Sequence, residues 1–133
     1  MGLNQFSHLT SQEFKALYAN MAHTERSAIT QGEQEEIPSL GDVDWQKQGK
    51  VSPVRNQGSC DSGYAFCTTA LFESFLLFQK KNATLAPQQM IDCGGDKYTI
   101  FGCKGGSRSG AINFTLDNGL QDDRNYPFTG QQG

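Results

Sequence analysis

The residues best placed to do chemistry lie at positions 53–69, where a loop of small polar residues runs into a long apolar segment. The apolar residues from position 64 to 78 are too many for a strand and predict a buried helix, with Ser62 as its N-cap. A side chain just after that cap would lie in the positive field of a helix N-terminus, which stabilises a thiolate or another anion. The sequence places Gly63 there, and glycine has no side chain that could react.

This stretch resembles the active-site segment of the papain-like cysteine proteases, whose signature runs Gln-Gly-x-Cys-Gly-Ser-Cys-Trp-Ala-Phe-Ser. In that alignment Gln57 takes the position of the oxyanion-binding glutamine, Cys60 that of a half-cystine and Tyr64 that of the aromatic residue after the nucleophile. The catalytic cysteine falls on Gly63, so the resemblance implies the scaffold of the family without its nucleophile. Cys67 lies one turn, roughly 5–6 Å, further along the helix, and we expect a buried core or disulfide cysteine there.

Further motifs extend the resemblance over nearly the whole chain. Residues 2–9 are similar to the propeptide pattern Gly-x-Asn-x-Phe-x-Asp-Leu, with His8 in place of the aspartate, and residues 43–58 match the start of the mature enzyme. The resemblance implies an α+β, mainly helical fold. Residues 1–36 would be the C-terminal part of a propeptide with its linker, and residues 37–133 the left, helical lobe, without a right lobe. The family's catalytic His and Asn lie about 130–150 residues after the nucleophile, which is further than this sequence extends.

Local signals predict three helices besides the central one. The first begins at Thr10 or Ser11 with Glu13 in its first turn, a second begins with Pro87, and a third covers residues 108–118 and ends at Gly119. The polar residues 22–36 predict an extended linker. The resemblance implies that this linker lies along the cleft beside Gly63.

Four cysteines allow three complete pairings, and their spacing matches no zinc site, so we expect neither a metal nor a cofactor. The resemblance implies a disulfide between Cys60 and Cys103. The closed loop of about 40 residues would contribute roughly 3–4 kcal/mol in the chain-entropy model. Cys93 would be free, or joined to Cys67 or to another chain.

The sequence Gly-Cys-Lys-Gly-Gly at positions 102–106 resembles the family motif whose glycines let a substrate backbone approach. Gly105 and Gly106 would be the remnant of that substrate-binding site, beside a pocket that Ser107 and Arg108 make more polar. Elsewhere, the resemblance suggests a buried, hydrogen-bonded structural carboxylate at Glu73. We expect Trp45 in the core.

Composition excludes several classes of function. The net charge is −3 and the pI about 5.2, so no basic patch indicates nucleic-acid binding. No apolar run reaches the roughly 20 residues of a membrane span. Two sequons, at Asn82 and Asn113, are possible glycosylation sites, and they suit the secretory or endolysosomal location that the resemblance and the cysteines favour. We recognise no signal peptide.

The sequence therefore predicts a catalytically inactive papain-like pseudoprotease that acts as a binding or structural module within a complex. One alternative is a fragment of a cysteine peptidase whose other half was removed or lies on another chain. A second is a propeptide-type inhibitor of cysteine proteases. The central helix is too rich in phenylalanine to bury every ring, so we expect another protein or a second copy to cover its exposed interlobe face. The apolar residues expected on that face are Phe66, Phe72, Phe75, Leu76 and Phe78.

Overall fold

The computed structural model describes residues 4–18 and 41–133, which form a mainly helical structure. Its α-helices are α1 (Ser11–Tyr18), α2 (Gly63–Phe78), α3 (Pro87–Cys93) and α4 (Arg108–Asn118), with short 3₁₀ turns at Asp96–Tyr98 and Gly102–Lys104. Within these residues, β structure is limited to isolated bridges that join Leu85 to Asp122, Gly95 to Ile100 and Ile100 to Gly106.

The helix boundaries confirm the local signals in the sequence. Thr10 and Glu13 form a reciprocal capping box at the start of α1, with N–H···O distances of 2.8 and 3.2 Å. Pro87 occupies the first turn of α3, and α4 ends where Gly119 adopts a φ of 69°. The predicted linker at 22–36 and the predicted boundary between residues 36 and 37 lie outside the described residues.

Helix α2 is central because it packs against both α3 and α4. The core that these helices share is built from apolar residues of α2, α3, α4 and the connecting turns: Cys60, Tyr64, Ala65, Met90, Ile91, Tyr98, Ile100, Ala111 and Phe114. The backbone comes so close at Gly110 that a Cβ there would collide with the carbonyl oxygen of Tyr98. This close contact fixes the start of α4 against the turn before it.

The opposite face of α2 remains in contact with solvent. Leu71, Phe75 and Phe78 are 55, 58 and 50% exposed, and we call these three residues the exposed α2 face. Phe66, Phe72 and Leu76, which were also expected on this face, are only half-exposed. The Phe66 ring packs edge-on against Phe128, with ring centroids 4.9 Å apart.

Two predictions of burial are wrong. Cys67 is free and exposed, because it lies on the same side of α2 as Leu71 rather than toward α3 and α4. Trp45 is 48% exposed and only rests edge-on against Phe78, with ring centroids 5.2 Å apart.

A disulfide joins Cys60, just before α2, to Cys103, in the turn before α4. The pairing is the one that the family resemblance implies. Its Cα atoms are 4.5 Å apart and its half-cystines are 43 residues apart in the sequence, so it ties the start of α2 to a distant part of the chain. A loop of this length corresponds to about 4 kcal/mol in the chain-entropy model.

A buried ion pair holds the loop before α2 in place. Arg55 Nη2 donates to Glu73 Oε1 at 3.0 Å and to Thr69 Oγ1 at 2.7 Å, while Nη1 donates to the Leu85 carbonyl at 3.0 Å. The same Glu73 oxygen accepts the Leu85 N–H at 2.8 Å, and Glu73 is 2% exposed. Glu73 is therefore the buried, hydrogen-bonded structural carboxylate that the resemblance suggests.

Replacing Glu73 by alanine should lower the free energy of unfolding by about 3–5 kcal/mol, because it leaves the Arg55 guanidinium without its buried partner and the Leu85 N–H without an acceptor. Urea unfolding followed by circular dichroism measures the loss. Lys47→Ala is the control, because the Lys47–Asp44 ion pair is largely exposed and should contribute less than about 1 kcal/mol. Equal effects of the two substitutions would contradict the assigned role of Glu73.

Candidate functional site

Gly63 is the first residue of α2 and is exposed at the end of the Gln57 loop. A Cβ built on Gly63 would lie 3.3 Å from Oε1 of Gln57, so the two positions adjoin in space. The structure therefore brings together a helix N-terminus, an amide side chain and a position without a side chain. The atom of Gln57 nearest this position is the amide oxygen, an acceptor, so a hydrogen bond to an oxyanion at residue 63 would have to come from Nε2 of the same amide.

Ser62 occupies the N-cap position but does not cap the helix with its side chain. Its φ and ψ are −110° and 22°, outside the extended region that a capping serine adopts. Its buried hydroxyl instead donates to the carbonyl of Cys60 at 3.3 Å. The prediction of a capping side chain was wrong because the turn at the disulfide sets this backbone conformation.

Gly105 and Gly106 lie close to the first turn of α2. Gly105 adopts a φ of 103°, which favours glycine, and Gly106 forms an antiparallel bridge with Ile100. A Cβ on Gly106 would be 3.1 Å from the ring of Tyr64, and the Tyr64 hydroxyl donates to the Gly102 carbonyl at 3.0 Å. Tyr64 thus connects the helix that carries Gly63 to the glycine loop.

Ser107 and Arg108 were predicted to make the pocket beside Gly105 and Gly106 more polar, and the structure gives the two side chains different surroundings. The Ser107 hydroxyl caps α4 by accepting from the Gly110 N–H at 3.3 Å, and it is 2.9 Å from the hydroxyl of Ser109. Its hydrogen-bonding capacity is therefore largely used within the helix start. Arg108, the first residue of α4, is exposed.

Asp61 is a charged residue of the site to which sequence reasoning assigned no role. Its backbone N–H donates to the carbonyl of Cys103 at 3.1 Å, so the residue is held at the disulfide, two positions before Gly63. Its Oδ2 is shielded from solvent and has no hydrogen-bond partner among residues 4–18 and 41–133. Burial raises the pKa of this carboxyl above its usual value. The sequence did contain a signal that could have identified this residue, because Asp61 stands where the family signature has glycine.

Tyr64 is also affected by this environment. Its burial raises the phenol pKa, and the negative charges of Asp92 and Asp61 raise it further. The phenol therefore stays protonated throughout the physiological range and acts as a hydrogen-bond donor to Gly102.

In the part of the chain that the structure describes, no group of three or more His, Cys, Asp or Glu side chains could hold a metal ion. The same residues contain no helix with the length and apolar character needed to cross a membrane. Cys93, like Cys67, is free and exposed.

Comparison with known proteins identifies a family whose sequence profile includes α2 and the loop before it. Residues 40–133 match the sequence profile of the family described as papain family cysteine protease. The chain belongs to this family. The match covers the Gln57 loop, Gly63, both half-cystines and the glycine loop.

Individual relatives match a longer part of the chain. Digestive cysteine proteinase 1 of Homarus americanus is 35% identical over 96% of the chain and 40% of its own length. Pro-cathepsin H of Medicago truncatula is 37% identical over 100% of the chain and 39% of its own length. Among solved structures, digestive procathepsin L2 from Tenebrio molitor larval midgut superimposes with a TM-score of 0.80 at 28% identity, covering 100% of the chain and 45% of that structure. The chain thus spans about two fifths of these curated relatives.

Asp61→Asn should make the protein more stable than the wild type at pH 7. The raised pKa means that the folded state disfavours the charged form, so removing the charge removes that penalty. The penalty is present above the folded pKa and vanishes as the pH falls below the usual value of 3.8, so the two proteins should then be equally stable. Thermal unfolding between pH 3 and pH 7 measures the difference.

Asp117→Asn is the control of opposite sign, because hydrogen bonds from Tyr98 and Lys97 lower the pKa of Asp117. This variant should be less stable than the wild type at pH 7, and the difference should vanish as the pH falls through the lowered pKa. A wild type that is more stable than Asp61→Asn at pH 7 would contradict the analysis of Asp61.

Proposed function

We propose that this chain is a catalytically inactive papain-family module, a pseudoprotease that acts by binding. The observation that carries the proposal is the glycine at the first position of α2, beside Gln57. Cysteine-protease chemistry begins when a thiolate attacks the substrate carbonyl and forms an oxyanion. Gly63 supplies no thiol, so Gln57 would have no oxyanion to stabilise at this site.

Cys67 does not replace the missing nucleophile. It lies one turn along α2 from Gly63, about 6 Å away at the rise of an α-helix. A thiolate is also stabilised by a helix N-terminus or by a neighbouring base or cation, and Cys67 lies beyond the first turn of α2. The hydrogen bonds and ion pairs of residues 4–18 and 41–133 include none that joins Cys67 to such a group. Gln57 and the glycine pair are therefore retained as framework and as a remnant of a peptide-binding surface.

The exposed α2 face supports a role in a complex. Three large apolar side chains, Leu71, Phe75 and Phe78, are each at least half exposed on one helix, with the ring of Trp45 resting against Phe78. Contiguous apolar surface of this kind marks association sites. We infer that another protein or a second copy of the chain covers it, with roughly 1,000 Å² or more buried in total.

The disulfide supports a location in an oxidising compartment. Disulfides persist in oxidising compartments, so the bond between Cys60 and Cys103 favours the secretory or endolysosomal pathway.

The competing functions differ in what they require of the chain. A peptidase fragment would need a nucleophile at a position other than 63, and the rest of its catalytic residues would have to come from another chain. A propeptide-type inhibitor would have to block active papain-like enzymes. Two structural neighbours, a procathepsin and a bromelain precursor, match 100% of the chain, and this similarity to unprocessed enzymes is what supports the inhibitor hypothesis. An inhibition assay against a papain-like enzyme separates it from the pseudoprotease: potent inhibition by the chain would favour the inhibitor.

The test of the lost nucleophile is to restore a thiol. In a background with Cys67→Ser and Cys93→Ser, Gly63→Cys should give a thiol with a pKa below the usual value of about 8.5, because the helix N-terminus stabilises the thiolate. The pH dependence of alkylation by iodoacetamide measures this pKa. The matched protein with Gly63 in the same background, which has no free cysteine, is the control for alkylation at other groups. Peptide hydrolysis by the wild type that is abolished by a thiol-directed probe would refute the proposal.

The exposed α2 face is tested separately. Phe75→Asp should reduce association of the isolated chain and its binding of a hydrophobic dye, because it places a charge in the centre of the face. Leu116→Asp is the matched control, since Leu116 is a 69% exposed apolar residue on α4. Light scattering over a range of concentrations measures the assembly. A wild-type monomer that binds no dye would contradict a covered face.

A further inference from the structure

The two sequons lie in very different structural surroundings. Asn82 and Thr84 are both exposed in the extended segment that follows α2. Asn113 and Thr115 are in the middle of α4, where the asparagine is exposed but the threonine is 8% exposed. N-glycosylation requires the asparagine amide and the hydroxyl of the third residue to be presented together, so in the folded chain these surroundings determine which sequon is accessible.

Several features hold the Asn82 sequon open. Lys80, with a φ of 61°, ends the helix turn, and its N–H donates to the Leu77 carbonyl at 3.1 Å while that of Lys81 donates to the Leu76 carbonyl at 2.9 Å. Beyond the sequon, the Asp123 N–H donates to the Thr84 carbonyl at 2.8 Å. The segment is therefore fixed at both ends, and neither the Asn82 amide nor the Thr84 hydroxyl has a hydrogen bond in the described structure.

The Asn113 sequon is closed by the fold. The Thr115 hydroxyl donates to the Ala111 carbonyl at 2.9 Å and lies 3.8 Å from the Met90 sulfur. Presenting this hydroxyl would require α4 to unwind, and α4 contributes the buried Ala111 and Phe114 to the core.

We propose that Asn82 is an N-glycosylation site of this protein and that Asn113 is left unmodified once α4 has formed. The disulfide at Cys60 supports exposure to the oxidising compartment in which such glycans are attached. The co-substrate is an oligosaccharide carried on a lipid diphosphate. The Asn82 amide nitrogen attacks its anomeric carbon and forms the N–C bond while the C–O bond to the diphosphate breaks. The nitrogen loses one proton, and the lipid diphosphate leaves with the bonding electron pair.

The glycan would project from the end of α2 that carries Phe78. It would add a polar, bulky group beside Lys80 and Lys81, which are exposed. The inference does not depend on whether the protein is an active protease, because the acceptor lies in a loop away from Gly63.

The experiment expresses the chain behind a secretion leader in cultured animal cells. Glycan occupancy at each sequon is read by a glycosidase that converts a modified asparagine to aspartate, followed by peptide mass mapping. The wild type should be modified at Asn82 alone. Asn82→Gln and Thr84→Ala should both lose the glycan, and Asn113→Gln, the matched control, should be modified like the wild type. Formation of the Cys60–Cys103 disulfide shows that the chain entered the oxidising compartment.

A further variant tests why Asn113 is spared. Gly110→Val should prevent α4 from packing, because a Cβ at this position would collide with the Tyr98 carbonyl oxygen, and it should allow modification of Asn113 in total cell extracts, whether or not the variant is secreted. Disulfide-bonded wild type without a glycan at Asn82 would overturn the proposal. So would wild type modified equally at Asn113, or Gly110→Val with Asn113 still unmodified.

Discussion

The buried contact between Arg55 and Glu73 is the interaction on which the rest of the structure depends. It joins the loop that carries Gln57, the middle of α2 and the segment leading to α3, so three separate parts of the chain meet at one carboxylate oxygen. The guanidinium also lies 5.4 Å from the centre of the Phe66 ring, which shields the pair from solvent. Because a charge buried this deeply cannot remain unpaired, the loop has little freedom to move away from α2, and Gln57 stays beside Gly63.

The site itself is a framework arranged around Gly63, a position without a side chain. The disulfide, the Tyr64 hydrogen bond and the glycine loop all remain arranged around the start of α2. Cys60 and Tyr64, which hold this framework, belong to the core, so its arrangement does not require a side chain at position 63. Asp61 adds a feature that the family signature lacks, a carboxylate beside Gly63 whose Oδ2 is shielded from solvent and whose pKa is raised by burial.

Much of the fold could be predicted from sequence because local signals determine it. The Thr10–Glu13 capping box, Pro87 and Gly119 act through backbone geometry over a few residues, and they gave the helix boundaries correctly. The errors concern which side of a helix is covered by the rest of the chain, and not which segments are helical. Cys67 and Trp45 look like core residues by type, but which side of α2 is covered depends on contacts between distant segments. The shielded Asp61 oxygen likewise results from a turn constrained by Cys103, 42 positions away in the chain.

The covalent tie between Cys60 and Cys103 also changes how the molecule would respond to cleavage. The exposed segment after α2, with Lys80 and Lys81, lies inside the loop that this disulfide closes. A protease that cuts there would produce two pieces that remain one molecule, held by the bond and by the packing of α2 against α3 and α4. The nicked protein would migrate as an intact chain until it is reduced, and a glycan on the neighbouring asparagine would screen the same peptide bonds from attack.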